Sequence, residues 1–147
     1  MIMRNTLRVG LMALTLSLGL AAPSAFAGGS TVSIEQYGSG NGAGGGQHGW
    51  RNRMSFYQSG RGNSVISNQY GNKNRAVVGQ NGNHNSADTY QTGNRNIVGV
   101  AQFGSGHTVV TSQDGSGNAI GVIQAGRNNH ATSTQVGAGN VSVIVQD

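Results

Sequence analysis

The chain has 147 residues, 26 of them glycine, with no cysteine and a formal net charge of +5 at pH 7. Without cysteine there is no disulfide, no thiol nucleophile and no thiolate metal ligand. The four carboxylates, Glu35, Asp88, Asp114 and Asp147, are scattered, so no acid–base pair is evident and neither an enzyme nor a cofactor is expected.

Residues 1–27 read as a secretory signal peptide. Arg4 and Arg8 make a basic start, Val9 to Leu20 is an apolar stretch short for a membrane span, and Ala25-Phe26-Ala27 is a small-x-small cleavage site. Gly28 is then the first mature residue, and the chain is exported. The mature part carries seven basic residues against four acidic ones, a net charge of +3. Five of the bases, Arg51, Arg53, Arg61, Lys73 and Arg75, lie near Trp50, Phe56, Tyr57 and Tyr70. A nucleic-acid groove needs such interleaving, but export argues against that role and no nucleic-acid function is expected. The charges read as solvated groups that keep a sticky chain soluble, with attraction to an acidic cell surface as the alternative.

Residues 28–35 form a short N-terminal segment that opens a leading strand, Ser30 to Gln36, with Ser30, Val32, Ile34 and Gln36 on one face. From 36 to 147 the chain repeats. Gln36, Gln47, Gln58, Gln69, Gln80, Gln91, Gln102, Gln113, Gln124, Gln135 and Gln146 stand eleven residues apart. A glycine follows the first ten at two residues: Gly38, Gly49, Gly60, Gly71, Gly82, Gly93, Gly104, Gly115, Gly126 and Gly137. An asparagine follows at five: Asn41, Asn52, Asn63, Asn74, Asn85, Asn96, Asn118, Asn129 and Asn140, with His107 as the exception. The composition alone would suggest disorder, but disorder needs no fixed period.

Within a unit the asparagine, two apolar or small residues and the next glutamine are spaced by two, so they share one face of a strand. Strands are predicted at 41–47, 52–58, 63–69 and onward to 140–146, eleven with the leading one. Gln-x-Gly-x-x-Asn is the predicted turn. The inward column two before each closing glutamine alternates small or polar with large: Gly45, Phe56, Ser67, Val78, Thr89, Val100, Thr111, Val122, Ser133, Ile144. The true repeat is therefore 22 residues, present five times (36–57, 58–79, 80–101, 102–123 and 124–145) before a final half coil. This predicts an all-β fold: a β-solenoid of stacked strand–turn–strand coils, with two facing parallel sheets in a cross-β, amyloid-like arrangement.

The inward Gln and Asn residues are predicted to form columns in which each amide donates to one neighbour and accepts from the other. His107 interrupts one such column and is predicted to be a weak step. His48, His84, His107 and His130 fall at different places in the unit, so no metal site is expected.

The predicted outer faces differ. One is mostly small or polar, with Gly42, Gly44, Gly46, Ser64, Ile66 and Asn68 at its start. The other turns apolar toward the C-terminus, through Ile97, Ala119, Ile123 and then Val141, Val143 and Val145. Gly42 to Gly46 is a poor strand, and Asp88 and the cationic turns read as gatekeepers that delay assembly. Replacing Gly44, Gly45 and Gly46 with Ser, Val and Thr is expected to shorten a lag before fibres form. The last strand, with Val141, Val143, Ile144 and Val145, has no charge and no proline, and is the strongest β-aggregating segment. With no cap at either end, the last coil of one molecule templates the first of the next, and the expected product is a homopolymeric fibre.

The residues resemble a known family. The curlin repeat, Ser-x5-Gln-x-Gly-x-Gly-Asn-x-Ala-x3-Gln, is met in full by Ser30, Gln36, Gly38, Gly40, Asn41, Ala43 and Gln47, and related versions run along the mature chain. The resemblance implies a subunit of bacterial curli: a surface-attached amyloid fibre, like a pilus or fimbrium, serving adhesion, aggregation and biofilm matrix. It also implies a second curli subunit, an outer-membrane secretion pore and a periplasmic chaperone as partners. The regular repeats look more like the major subunit. The basic balance, and only Gly28 and Gly29 ahead of Ser30, fit the minor, nucleating subunit instead. A monomeric binding solenoid, such as an ice-binding protein, is the remote alternative; it would need capped ends and a regular outward threonine array.

Overall fold

The computed structural model describes residues 28–147; the signal peptide expected over 1–27 lies outside them. The described residues form eleven strands: β1 Thr31–Ser39, β2 Gly42–His48, β3 Arg53–Arg61, β4 Ser64–Asn72, β5 Arg75–Asn83, β6 Ser86–Asn94, β7 Ile97–Ser105, β8 Thr108–Ser116, β9 Ala119–Arg127, β10 His130–Ala138 and β11 Val141–Gln146. The odd-numbered strands build a six-stranded sheet in the order β1-β3-β5-β7-β9-β11. The even-numbered strands build a five-stranded sheet, β10-β8-β6-β4-β2. Every pairing is parallel and joins residue i to residue i+22, as in Gln58 with Gln80 and Gln69 with Gln91. The molecule is a β-solenoid with a 22-residue coil.

Between the sheets lies a thin core. The odd sheet contributes Met54, Phe56, Ala76, Val78, Val98, Val100, Ile120 and Val122, and the even sheet Val65, Ala87, Val109 and Ala131. Opposite the larger column of Phe56, Val78, Val100 and Val122, the even sheet places Ser67, Thr89, Thr111 and Ser133, all buried. Large against small keeps the sheets at one separation along the stack. The terminal strands are covered on one side only: Val32 and Ile34 remain 55% and 45% exposed.

The bends differ from the predicted six-residue turn. The strand ladder runs on through the glutamine, the next residue and the glycine: Gln58 pairs with Gln80, Gly60 with Gly82 and Arg61 with Asn83. Only Gly62 and Asn63 lie outside a strand at that bend. β3 therefore starts one residue later and ends three residues later than the 52–58 read from periodicity. The reason is the glycine. At a φ of 120° Gly60 turns the chain while its backbone groups stay in the ladder, and an added Cβ would run into the carbonyl oxygen of Gly82, one coil on. Gly38, Gly49, Gly71, Gly82, Gly93, Gly104 and Gly115 meet the same obstacle; Gly126 and Gly137, beside the open end, do not.

Gly45 corrects a second expectation. Its φ is 153° and a Cβ there would run into the carbonyl oxygen of Ser67, whereas Gly44 faces open space. A valine at 45 therefore distorts β2 instead of strengthening it, and only the outward positions 42, 44 and 46 accept β-branched residues.

Gly82→Ala is expected to lower stability by about 2 kcal/mol or more through backbone strain and collision. Gly99→Ala, at an outward position with nothing within 4 Å of the added Cβ, is expected to stay neutral or gain about 0.5 kcal/mol. Urea unfolding of the soluble β-form, followed by circular dichroism, checks both.

Candidate assembly surface: amide ladders and open ends

One inward glutamine lies in each strand of the stack, ahead of the bend. On the odd sheet the side-chain amide of Gln36 donates to Gln58, Gln58 to Gln80, Gln80 to Gln102, Gln102 to Gln124 and Gln124 to Gln146, at 2.6–3.0 Å. On the even sheet Gln47 donates to Gln69, then Gln91, Gln113 and Gln135, at 2.7–3.0 Å. The second amide hydrogen crosses the core. Gln58 Nε2 reaches the carbonyl of Gly42, Gln69 that of Arg53 and Gln91 that of Arg75, each sixteen residues back. One side chain thus ties its coil to the next and its sheet to the facing one. Gln58, Gln69, Gln80, Gln91, Gln102, Gln113 and Gln124 have no solvent exposure. An amide left unpaired at such a site costs about 1–3 kcal/mol.

The asparagines act differently from the predicted amide-to-amide column. Asn74 Nδ2 donates to the carbonyl of Tyr70, four residues back, and to that of Gly93 in the next coil. Its Oδ1 accepts the backbone N–H of Asn96, twenty-two residues on. Asn52, Asn63, Asn96 and Asn118 repeat these three bonds. Only Asn41–Asn63 in this set also joins amide to amide. The shorter side chain sits at the bend, where backbone groups come within its reach, so it clamps the corner instead of laddering.

His107 fills the same clamp. It is fully buried; its backbone N–H donates to Asn85 Oδ1, its Nε2 contacts the Phe103 carbonyl at 3.2 Å, and its Nδ1 accepts the N–H of Asn129 at 3.2 Å. The tautomer with the proton on Nε2 satisfies both ring contacts. The ring thus continues the column, and what it lacks is the asparagine's bond to the glycine carbonyl of the next coil.

One position escaped the sequence reading. The residue before each clamp has a φ near +60°, and five of these are not glycine: Arg51, Lys73, His84, Arg95 and Asn128. Glycine at 40, 62, 106, 117 and 139 was the available signal. Arg51, Lys73 and Arg95 share one edge, one per coil, and with Trp50, Asn72 and Asn94 line a groove along it. Left-handed backbone at a non-glycine residue costs about 1 kcal/mol.

Among the described residues nothing covers either end of the solenoid. At the C-terminal end Gln135 and Gln146 each use one amide hydrogen, on Ala119 and His130, and among the described residues have no glutamine to donate to. At the other end Gln36 and Gln47 donate, while no described residue donates to their Oε1 atoms.

The model of the curlin associated repeat matches residues 51–82 and 82–115. Residues 51–115 carry the curlin associated repeat. The matched stretch is the middle of the solenoid, β3 to β8 with their bends. No curated protein matches the chain. The curlin glutamine, glycine and asparagine are therefore a ladder rung, a corner that a Cβ would block, and a corner clamp. Among the described residues no group of three or more His, Cys, Asp or Glu is placed to hold a metal.

Gln91→Leu would strand the amide of Gln69, the Oε1 of Gln113 and the carbonyl of Arg75. It is expected to cost about 3 kcal/mol or more in urea unfolding. Thr111 Oγ1 is buried without a partner, so Thr111→Val is expected to gain about 1 kcal/mol in the same assay. His107→Asn, which restores the missing clamp bond, is expected to gain about 1 kcal/mol.

Proposed function

We propose that this curlin-repeat chain is a structural subunit of extracellular curli-type amyloid fibres, exported through the periplasm and held at the bacterial cell surface. The observation that carries the proposal is the pair of ends that the described residues leave uncapped: unpaired amide donors at one end face the chemistry of unpaired acceptors at the other. Natural solenoids that stay monomeric cap such edges. β11 adds an unpaired, charge-free edge whose Val141, Val143 and Val145 are 66–75% exposed. Strand-on-strand templating then extends the stack, and the fibre supports adhesion, aggregation and biofilm matrix. The cleaved signal peptide, a second curli subunit, an outer-membrane pore and a periplasmic chaperone belong to the same proposal, on the family likeness. The role is that of the extending, major subunit. Nucleation is the second reading, favoured by the mature chain's net positive charge.

The test is thioflavin-T fluorescence on residues 28–147 diluted from denaturant, with electron microscopy at the plateau. A lag followed by unbranched fibres, shortened by added seeds, is the expected outcome. Fibres without a lag would assign nucleation. A stable soluble β-form with no dye response would overturn the fibre reading and leave a monomeric binding solenoid.

A further inference from the structure

The described residues form an odd number of strands, eleven, which shapes the joint between subunits. Both terminal strands, β1 and β11, belong to the same six-stranded sheet. Each end of the molecule is therefore a step, one strand high on the odd side and recessed on the even side. When a second copy stacks head-to-tail in the same orientation, β11 meets β1 and the two steps collide. The even sheet is then left with a gap one strand wide, between β10 and the next β2. That gap leaves two strand edges without ladder partners, a costly arrangement in a cross-β stack.

We infer that successive subunits of the fibre are related by a half turn about the fibre axis, so that the odd sheet of one continues as the even sheet of the next. This rests on the fibre reading above. After the half turn, β1 of the incoming copy fills the notch beside β11 and pairs in parallel with β10. β2 of that copy pairs with β11. Strand direction is preserved, because odd and even strands run oppositely and a half turn exchanges both their positions and their directions.

The hydrogen-bonding groups agree. The unused amide hydrogens of Gln135 and Gln146 meet the unused acceptors of Gln36 and Gln47 of the next copy, and both ladders run on. In the same orientation only Gln146 finds a partner, Gln36, while Gln135 and the next Gln47 are stranded in the gap. At the bend, Asn140 donates to the carbonyl of Val136 but to no following coil. The half turn brings the next copy's Gly38 carbonyl and Asn41 N–H into the places that Gly60 and Asn63 hold for Asn41 inside the molecule. The donor-to-acceptor sense of the ladders also forbids end-to-end stacking in opposite directions.

The core at the joint explains the glycine strand. The half turn sets Ile144 across from Ile34 of the next copy, two large residues where the interior has large against small. Ile144 then lies beside Gly45 of that copy. A cavity of about 280 Å³ already lies between Val32, Ile34, Gly45 and Phe56. β2, glycine at 42, 44, 45 and 46, leaves the room that the second isoleucine needs.

Cross-linking of preformed fibres tests the joint, and the chain has no cysteine of its own. The half turn makes Val143 the outward neighbour of Gly44 in the next copy, and Thr132 that of Ser33. Same-orientation stacking makes Val143 the neighbour of Ser33 instead. Three double variants are compared: Val143→Cys with Gly44→Cys, Thr132→Cys with Ser33→Cys, and Val143→Cys with Ser33→Cys. The paired sites lie at opposite ends of one molecule, so each bond formed is between molecules. Mild oxidation, or a short bis-thiol cross-linker, is followed by denaturing gel electrophoresis. The expected result is a ladder of multimers from the first two variants and monomer from the third. A ladder from the third alone, or from none while fibres are visible, overturns the half turn and leaves the fibre reading intact. If the unmodified chain forms no fibre, the fibre reading itself fails and the joint with it.

Discussion

Each buried glutamine amide is satisfied along the stack because its twin stands one strand spacing away, at the same place in the next coil. That arrangement governs the whole structure. It fixes the coil at 22 residues, forces every pairing into register i to i+22 and keeps both sheets parallel. A slip of one residue would turn every glutamine out of the core and every outward residue into it. The thin core of Val, Ala, Ser and Thr supplies modest apolar burial for a chain of this length. Ladder bonds in two directions supply much of the remaining cohesion.

The same amide group does different work at two distances from the backbone. Glutamine sits within the strand, where main-chain groups are already paired, so its longer side chain reaches along the stack and across the core. Asparagine sits at the corner, where main-chain groups are otherwise short of partners, and its short side chain satisfies three of them. His107 shows that the corner requires a geometry of donors and acceptors, not one residue type: two ring nitrogens replace an amide oxygen and nitrogen. The glycine two residues after each glutamine completes the corner by leaving room for the carbonyl of the next coil. These curlin positions are thus one device, and removing any member leaves its partners unmet.

A solenoid held this way has no natural end. The device that satisfies each interior coil leaves unsatisfied donors on one terminal coil and acceptors on the other, so the fibre proposed above would draw on the same bonds that stabilise the subunit. Features that weaken the first strands, such as the glycines of β2 and the exposed Val32 and Ile34, lie at the end where an incoming subunit would supply the missing contacts. The charged edge of Arg51, Lys73 and Arg95 stands away from both ladders, on turns that take left-handed backbone without glycine.

The sequence by itself determined the strand number, the 22-residue coil, the inward columns and the two facing sheets, because side-chain alternation and a fixed period leave one consistent folding pattern. It also pointed to the glutamine ladder, since identical inward amides repeated at a fixed period stand within reach of one another once the coils stack in register. Tertiary structure alone decided how the corners are made. Whether a strand runs on through Gln-x-Gly depends on the neighbouring coil's carbonyl, which no local pattern reveals. The asparagine clamp and its histidine substitute depend on main-chain groups four and nineteen residues away, brought together only by the bend. The left-handed position before each clamp was masked wherever arginine, lysine or histidine replaced glycine. The step at each end, with both terminal strands on one sheet, became visible once the strands were placed in space, since the parity of a count has no meaning until the coil gives it two sides.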